Sequence, residues 1–452
     1  MKSPDLLSPE QQAAITHIYE NDCTYLIGQM GSGKSVTALT AAAELLGDKA
    51  VQRVLVVAPL RVANDVWKRE HTGWAHLNHL TVGIASGTAL QRAHAIETST
   101  DIAVITFDNL PWFFERYGAA HGFDMLIVDE VTKLKAGGVG FKKMRKHLKT
   151  FKTRVVMTGT PVAEAWTDLF YCMFACDGGE RLGRNRASFL TRYCYPLDYE
   201  QRKWAVRREC INELTALISD VVVVLPDYTS ELPPLNEQII EVDLSADARE
   251  YYDTMEQDCV TADVTADNAA VLTGKLQQLA SGFVYTDDGD TVQLDAGKMR
   301  AARELGLAEY RRTARGVIYV YQYKEELRQL KAALPSGRQL GVSQAADMET
   351  LALWRSGALT ALFLHPKSAG HGLDLTAGAS MVITSPIWSR DLMRQVIARI
   401  WRRNQTLACS VFILCARNTV DGDIVARESG KGSHMDILMA RLNAIRHAKK
   451  RA

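Results

Sequence analysis

The residues best suited to chemistry lie in the segment YLIGQMGSGKS, which leads from an apolar run into the helix-forming stretch VTALTAAAELL. It has the glycine, lysine and serine spacing of a phosphate-binding loop: Gly28, Gly31, Gly33, Lys34 and Ser35. Glycines let backbone amides face phosphate oxygens, the lysine reaches the β- and γ-phosphates, and the serine hydroxyl can ligate Mg²⁺. The alternative is a glycine-rich turn with an incidental lysine. The strand before and the helix after favour a nucleoside triphosphate site with Mg²⁺.

An acidic pair could complete that site. Asp129 and Glu130 end the apolar run MLIVDE. A phosphate-loop enzyme needs an acid at the end of a second strand to hold Mg²⁺, and a group that orients the attacking water. We therefore expect Asp129 in the metal shell and Glu130 as the general base. In isolation such a pair fits a solvated turn equally well, but the phosphate loop favours the catalytic interpretation.

Small hydroxylated residues follow the next apolar strand, in the segment MTGTP. Thr158, Gly159 and Thr160 could relay the state of Glu130 to the rest of the chain. A turn stabilised by threonine and proline is the common alternative.

Three polar residues recur in the segment RQVIARIWRRNQ at positions i, i+4 and i+7: Gln395, Arg399 and Arg402. Helical spacing would place them on one face. A solvated charged face is the usual explanation for such a stripe. Given the distant phosphate loop, we interpret the two arginines as fingers that neutralise charge developing on the transferred phosphoryl group.

The elements that must position these residues read as alternating strands and helices. Apolar runs such as RVLVVAP and IAVITF each lead into a turn and then a helical pattern, which indicates an α/β fold with parallel sheets. The pattern weakens after residue 165 and returns near residue 300. We expect an N-terminal lobe over 1–230, with an irregular basic insertion over about 165–230, a connecting helical region over 231–300 and a C-terminal lobe over 301–452.

Composition sets broad limits. The chain has 452 residues, 47% hydrophobic and 23% charged, with a formal net charge of +1, so any electrostatic footprint for nucleic acid must be local. Eight scattered cysteines without a CxxC pair favour neither a disulfide framework nor a zinc site and fit a reducing cytoplasm. No signal peptide or membrane span is expected.

Taken in order, these segments resemble helicase superfamily two, and most of all its Swi/Snf-type ATPases. The resemblance runs from residue 7 to about 425, with a loose match over 165–300, and is carried by LSPEQQAAI, GQMGSGKS, VVAPLRVANDVW, ITFDNL, IVDE, MTGTP, GVIYVYQYKEELRQL, SAGHGLDLTAG and QVIARIWRRNQ. It implies two tandem RecA-like P-loop NTPase lobes, each a mostly parallel sheet flanked by helices, with ATP and Mg²⁺ between them and nucleic acid running across both.

The resemblance also implies roles for individual residues. Gln11 would contact adenine, Asp374 would lie near the ribose and Gln395 would belong to the nucleotide site. Arg399 and Arg402 would reach the γ-phosphate. Positions that would line the nucleic-acid path are Pro59, Arg61, Thr106, Ser368 and Gly370.

The sequence departs from the family pattern at several positions. Thr132 stands where many relatives have His, so a DEAD or DEAH label is loose. Ala398 replaces a usual Gly, and Arg403 and Asn404 stand where the Swi/Snf type often has Ile and Gly. The catalytic positions are intact, but the assignment to a subfamily is weaker.

Two basic stretches are candidates for nucleic-acid contact. The segment that follows the acidic pair is rich in Lys and Arg: Lys133, Lys135, Lys142, Lys143, Arg145, Lys146, Lys149, Lys152 and Arg154. A basic helix there could equally be a solvated surface. In GERLGRNRASFLTRY, Phe189 and Tyr193 could stack on bases or simply pack. Phosphate contacts of this kind would give salt-dependent affinity without sequence choice.

These inferences favour an ATP-dependent motor that translocates on nucleic acid, with double-stranded DNA preferred, in the cytoplasm of a bacterium or phage-infected cell. No recruiting protein can be named from the sequence. A strand-separating DNA or RNA helicase is the alternative within the class. A P-loop regulatory switch is an alternative from another class, and a metal-dependent nuclease has little support because a second acidic constellation is missing.

Overall fold

The structure is a computed structural model. It describes residues 1–29, 31–60, 62–134, 137–159, 166–202, 204–261, 266–286, 288–342, 344–367, 373–403 and 405–429. These residues form two units that meet in the chain between Tyr228 and Thr229. Each is described separately below.

The first unit alternates helices with strands. Its helices are α1 (Pro9–Glu20), α2 (Lys34–Gly47), α3 (Trp67–Gly73), α4 (Ala89–Thr98), α5 (Leu110–Tyr117), α6 (Val139–Met144), α7 (Leu169–Asp177), α8 (Arg186–Tyr193) and α9 (Cys210–Ile218). Its strands are β1 (Cys23–Ile27), β2 (Val54–Ala58), β3 (Val82–Ala85), β4 (Ile102–Thr106), β5 (Met125–Asp129), β6 (Thr153–Thr158), β7 (Cys194–Pro196), β8 (Trp204–Val206) and β9 (Val222–Val224).

The second unit repeats the alternation. Its helices are α10 (Ala246–Thr261), α11 (Ala266–Ala280), α12 (Gly297–Thr313), α13 (Lys324–Ala333), α14 (Gln344–Arg355), α15 (Arg390–Ile397) and α16 (Val420–Ser429). Its strands are β10 (Leu235–Val242), β11 (Phe283–Tyr285), β12 (Thr291–Gln293), β13 (Val317–Val320), β14 (Arg338–Gln339), β15 (Ala361–Leu364), β16 (Ser380–Ile383) and β17 (Cys409–Ala416).

The sheet of the first unit is parallel throughout, with strand order β3-β4-β2-β5-β6-β1-β9. Every residue of β1, β2, β4 and β5 is buried, which explains why these strands read as continuous apolar runs. Separate apolar clusters cover the two faces. One includes Phe113 and Phe170, and the other includes Leu39 and Trp67.

The sheet of the second unit is also parallel, in the order β10-β17-β16-β13-β15-β14. Strands β11 and β12 form a small antiparallel pair outside it, as do β7 and β8 in the first unit. The predicted α/β class with two mostly parallel, helix-flanked sheets is confirmed.

Residues 231–300 are more than a connection. Strand β10 pairs with β17 along eight residues, from Leu235 opposite Cys409 to Val242 opposite Ala416. Helix α11 contributes Leu279 and Ala280 to an apolar cluster with Ala416. The region expected to link the lobes therefore supplies an edge strand and packed helices to the second unit. Its strand was hard to foresee because polar residues interrupt the apolar pattern of LNEQIIEV.

Within the described residues, no helix combines the length and apolarity needed to cross a membrane.

The turn that leads into β5 depends on a buried histidine. The Nδ1 atom of His121 accepts a hydrogen bond from the Phe123 amide (3.1 Å), so Nε2 carries the proton and donates to the Thr150 hydroxyl (2.6 Å). The imidazole also stacks on Phe151, with ring centroids 4.6 Å apart. Burial, with a smaller effect from His147 and an opposing one from Asp124, lowers the pKa of His121 to about 4.

We expect this histidine to make the fold acid-sensitive. Its folded-state pKa lies below its unfolded value of about 6.5, so the unfolded chain binds the extra proton and stability falls as the pH drops from about 6.5 towards 4. Replacing His121→Gln should remove about 1 to 2 kcal/mol of the decrease in the free energy of unfolding, after allowance for solvent screening. Urea unfolding at pH 7 and pH 5 measures this decrease. Replacement of the exposed His94→Gln is the control and should leave the loss unchanged, whereas equal pH dependence in wild type and His121→Gln would contradict the assignment.

Candidate functional site

The site residues of the first unit lie at one edge of its sheet. Strands β1, β2, β4, β5 and β6 are parallel, so their carboxyl ends share an edge, where ligands bind in open α/β sheets. The five segments that follow these ends begin at Gly28, Pro59, Phe107, Glu130 and Gly159. Ile27 stands opposite Thr158 in register, and the Gly28 amide donates to the Thr158 carbonyl (3.1 Å). The phosphate-binding segment and the MTGTP segment are thus physically joined.

The loop after β1 wraps back on itself as the glycine spacing predicts. Gly31 and Gly33 both have left-handed backbone conformations, with φ of 83° and 84°. A Cβ atom added at Gly33 would lie 2.1 Å from the Gln11 Nε2 atom. Gly33 also caps α2 and has no side chain that could bond the first amides of that helix. Amides at the start of a helix can face an anion.

Lys34 is held inside the loop. Its Nζ atom donates to the Gly28 carbonyl (2.6 Å) and to the Gln29 carbonyl (3.1 Å), and the side chain is buried. The buried Ser32 hydroxyl makes no hydrogen bond within the described part of the chain. Ser35, in the first turn of α2, is half-buried. A wrapped backbone, an unbonded hydroxyl and an ammonium group held against the loop carbonyls together fit a phosphate chain with Mg²⁺.

Gln11 supports the loop from α1. Its Oε1 atom accepts from the Ser8 amide (2.9 Å) in a capping box, and its Nε2 atom donates to the Ser32 carbonyl (2.9 Å). The side chain is buried. The structure therefore places Gln11 against the phosphate loop. Its implied contact with adenine remains a prediction.

The acidic pair ends β5. Asp129 is buried, and burial followed by the charge of Glu130 raises its pKa to about 6, while Lys34 and the Trp67 indole act in the opposite direction. The Trp67 Nε1 atom donates to Asp129 Oδ2 (3.1 Å). Glu130 has a left-handed backbone with φ of 58°, which is strained for a residue with a side chain. The charge of Lys34 therefore acts on Asp129, and Glu130 follows Asp129 at a turn.

Trp67 was missed by sequence reasoning. It begins α3, directly after the π-helical turn Val62–Val66, and its side chain is fully buried. Such π-turns are frequent at functional sites. The segment VANDVW contained the signal, because a buried indole requires an acceptor for its N–H group. Its partner, an aspartate 62 residues away, could not be deduced from spacing.

The other site residues predicted for the first unit differ in their position and in whether the structure describes them. Thr158 is fully buried at the end of β6 and adjoins Gly159. Pro59 and Thr106 lie at the same sheet edge but are buried. Two predictions, Arg61 and Thr160, fall outside the described residues.

The first basic stretch is less regular than expected. Helix α6 has only six residues, and a short 3₁₀ turn, Leu148–Thr150, follows. Arg154 is a structural residue here, since its guanidinium donates to the Cys176 carbonyl (2.8 Å) and the Leu148 carbonyl (3.1 Å). Six of the predicted cations are exposed: Lys133, Lys142, Arg145, Lys146, Lys149 and Lys152. Lys135 lies outside the described residues.

In the second basic stretch, Phe189 and Tyr193 pack. They are 1% and 3% exposed and belong to the apolar core of the first unit. Of the two readings that the sequence allowed, stacking on bases is therefore wrong for this pair.

The second unit brings Asp374 close to the arginine segment. Asp374 Oδ1 accepts from the Thr376 amide (3.1 Å) and hydroxyl (2.7 Å). One residue later, the Leu375 amide donates to the Arg399 carbonyl (3.0 Å). The Arg402 Nη1 atom donates to the Leu373 carbonyl (3.3 Å). Ser368 and Gly370, which precede this contact in the chain, lie outside the described residues.

The predicted helical stripe is wrong. Helix α15 ends at Ile397, and the residues from Ala398 onward form turns, so Arg399 and Arg402 do not continue the face of Gln395. Arg399 is 1% exposed, whereas the other two are half-buried. The i, i+4, i+7 spacing could not reveal this end, because it depends on contacts with residues about 25 positions earlier.

Gln405 explains how the turns are held, and sequence reasoning gave it no role. Its buried Nε2 atom lies within hydrogen-bond distance of the carbonyls of Ile400 (3.0 Å), Gly378 (2.9 Å) and Thr376 (3.4 Å). Its Oε1 atom accepts from the amides of Thr406 (3.0 Å) and Leu407 (3.1 Å). The amide therefore ties the arginine segment to the segment after Asp374. A glutamine in an apolar setting was the available signal.

Comparison with known proteins identifies the family. A family model described as the SNF2-related domain matches residues 11–286, more than half of the chain. Protein p41 of Acyrthosiphon pisum secondary endosymbiont phage 1 is 31% identical, over 95% of this chain and 97% of its own length.

More distant relatives are larger. The DNA repair and recombination protein RDH54 of Saccharomyces cerevisiae is 22% identical over 84% of this chain, which spans 46% of that protein. The DNA repair and recombination protein RAD54-like of Drosophila yakuba is 23% identical over 95% of this chain, which spans 62% of it.

Among solved structures, the Sulfolobus solfataricus SWI2/SNF2 ATPase core in complex with dsDNA is similar, with a TM-score of 0.44 and 19% identity. The match covers 94% of this chain and 91% of that one. The family match and the full-length phage relative establish that the chain belongs to the SNF2-related domain family.

Proposed function

We propose that this protein is a DNA-dependent ATPase that hydrolyses ATP and uses the energy to translocate on double-stranded DNA. The observation that carries the proposal is the wrapped glycine-rich loop, which holds Lys34 against its carbonyls, together with the buried Asp129 at the carboxyl end of β5. Membership of the SNF2-related family supports ATP as the nucleotide. Two relatives are named DNA repair and recombination proteins, which supports DNA as the partner. The phage relative fits a bacterial or phage-infected cell as the setting.

Phosphate binding follows from the loop. The amides at the start of α2 and the Lys34 ammonium would contact the β- and γ-phosphates, with Lys34 exchanging its carbonyl partners for phosphate oxygens. Ser35 and Asp129 would hold Mg²⁺, which neutralises charge on the phosphates when it is bound.

Hydrolysis requires a group that orients water. Glu130 is the candidate, because it adjoins Asp129 and its strained backbone fixes the direction of its side chain. Thr158, Gly159 and Thr160 would couple this event to motion. The joint between Gly28 and Thr158 offers a direct path for that coupling.

The arginine segment supplies cations for the γ-phosphate in this proposal. Arg402 is the better candidate for an arginine finger. Its side chain is half-buried, and the hydrogen bond from its Nη1 atom to the Leu373 carbonyl is long at 3.3 Å. Arg399 is fully buried, which suits it to fixing the turn as well as to contacting phosphate. Asp374 and Gln395 would assist nucleotide binding.

The nucleic-acid partner would contact the sheet edge of the first unit near Pro59, Arg61 and Thr106, and the second unit near Ser368 and Gly370. Since Pro59 and Thr106 are buried, backbone groups of these segments would make the contacts. The exposed cations that follow Asp129 would add phosphate contacts without sequence choice.

The proposal is tested by ATP turnover with duplex DNA, single-stranded DNA and RNA at two salt concentrations. We expect duplex DNA to give the largest stimulation and added salt to weaken it. Strand-displacement measurements on the same duplexes should show no unwinding. Preferential stimulation by single strands or RNA would favour a strand-separating helicase. Turnover that is indifferent to all three would overturn the motor and leave a regulatory ATPase.

Substituting Glu130→Gln should lower the rate of ATP hydrolysis by about 10² to 10⁴-fold, because general-base catalysis contributes on that scale. Nucleotide binding and the melting temperature should stay close to those of the wild type. Single-turnover hydrolysis measures the effect. The exposed Glu20→Gln is the control and should hydrolyse ATP normally. A Glu130→Gln protein with wild-type turnover would rule out the assigned role.

Substituting Arg402→Ala should preserve ATP binding but reduce turnover by about 10³-fold or more, the scale on which arginine fingers act. The neighbouring Arg403→Ala removes the same charge from the same segment and should have a small effect. ATP affinity and the DNA-stimulated rate are measured for both. Equal rates in the two variants would contradict the finger assignment.

A further inference from the structure

The hairpin formed by β7 and β8 presents apolar side chains to solvent. Its strands pair antiparallel, from Cys194 opposite Val206 to Pro196 opposite Trp204. Within five residues of the chain, Tyr195 is 46% exposed, Leu197 59% and Tyr199 fully exposed. Clustered exposure of this kind marks an interaction surface, whereas single exposed apolar residues need no explanation.

The loop of the hairpin is held without help from these side chains. The Asp198 carboxylate accepts from the Arg202 amide (2.7 Å), and its carbonyl accepts from the Gln201 amide (3.1 Å). Gln201 has a left-handed backbone with φ of 54°, and the half-buried Trp204 donates its Nε1 hydrogen to the Gln201 carbonyl (2.7 Å). Polar groups and the Trp204 side chain therefore hold the loop in its conformation. Tyr195 and Tyr199 are available for another purpose.

The surroundings of the hairpin are strongly basic. Residues 184–208 contain seven Lys or Arg and two Asp or Glu, in a chain whose net charge is only +1. Both acids are engaged: Glu200 pairs with Arg202 (2.9 Å), and Asp198 holds the loop. Arg184 and Arg208 are exposed. The local field favours a polyanion.

We propose that this hairpin binds unpaired bases of DNA, with Tyr195 and Tyr199 as stacking platforms and the neighbouring arginines as phosphate contacts. Aromatic side chains combined with a basic surface are the general means of holding single strands. In an intact duplex the faces of the bases are covered by their neighbours, so an exposed tyrosine gains most where a strand is frayed, tailed or open. The basic charge favours this occupant over an apolar protein surface. The proposal rests on DNA as the partner of the motor, and it adds a sensor for single-stranded segments next to the duplex.

The test compares a blunt duplex with the same duplex carrying a single-stranded tail of about ten nucleotides. Fluorescence anisotropy gives the affinity of each DNA for the wild type, for Tyr195→Ala/Tyr199→Ala and for the control Tyr251→Ala, which removes an exposed tyrosine from α10. A 2-aminopurine base in the tail reports stacking directly.

We expect the wild type to bind the tailed duplex more tightly and to quench 2-aminopurine. The double variant should lose about 30-fold or more in affinity for the tailed duplex and lose the quenching, since two stacking side chains are removed. Its affinity for the blunt duplex, its duplex-stimulated ATP turnover and its melting temperature should not change. Tyr251→Ala should match the wild type throughout.

Three results would overturn the proposal: no preference of the wild type for the tail, unchanged tail binding in the double variant, or equal losses on both DNAs. Unchanged tail binding would point instead to a protein partner for this surface. Failure of the motor itself would appear separately, as a wild type whose ATP turnover does not respond to duplex DNA.

Discussion

The site of the first unit depends on a short stretch of backbone that must turn its amides inward. Gly33 achieves this with φ of 84° and with Gln11 packed where a side chain would otherwise be. That turn sets where α2 begins, the direction of Lys34 and the position of the loop that follows β1. The parallel sheet then brings the ends of β5 and β6 to the same edge. Without the neighbouring acid, a wrapped loop could bind the phosphates of ATP but would lack the carboxylate that is proposed to hold Mg²⁺ for hydrolysis.

Buried charge is the second constraint. An isolated ion inside a protein is costly, so each one needs compensation. Asp129 is offset by Lys34 and by the indole of Trp67, and burial still raises its pKa to about 6. In the second unit Lys298 and Asp421 form a buried pair that joins α12 to α16. The proposed nucleotide site thus keeps a partly compensated carboxyl where a cation is proposed to bind, whereas Lys298 and Asp421 compensate each other's charge.

The sequence was sufficient for the parts of the site that are local. The glycine spacing predicted the loop, the apolar runs predicted the strands, and the acidic pair was predicted at a strand end. Contacts between distant segments could not be read in this way. Trp67 reaches Asp129 across 62 residues, and Gln405 reaches the carbonyl of Gly378 across 27. Neither partner follows from periodicity.

The segment that contains Arg399 and Arg402 is a further example of a structure that local spacing did not predict. Its pattern was helical, yet the helix ends at Ile397, and the turns that follow are hydrogen-bonded to the Leu373 carbonyl and the Leu375 amide, on either side of Asp374. Tertiary hydrogen bonds overrode a local preference. The strand β10 within residues 231–300 was hard to predict for a related reason: it is an edge strand with exposed polar side chains, so it lacked the continuous apolar run of the other strands.

If the backbone around Gly33 forms the binding site for ATP, replacing this glycine must weaken ATP binding, which titration calorimetry of Gly33→Ala with ATP and Mg²⁺ measures. Alanine at this position must adopt a left-handed conformation and displace Gln11, a strain of about 1 to 2 kcal/mol. ATP affinity should fall by about tenfold or more. Gly47→Ala, at the exposed end of α2 where an added Cβ meets nothing within 4 Å, should bind ATP like the wild type. Equal ATP affinity in Gly33→Ala, Gly47→Ala and the wild type would show that the turn at Gly33 does not form the ATP site.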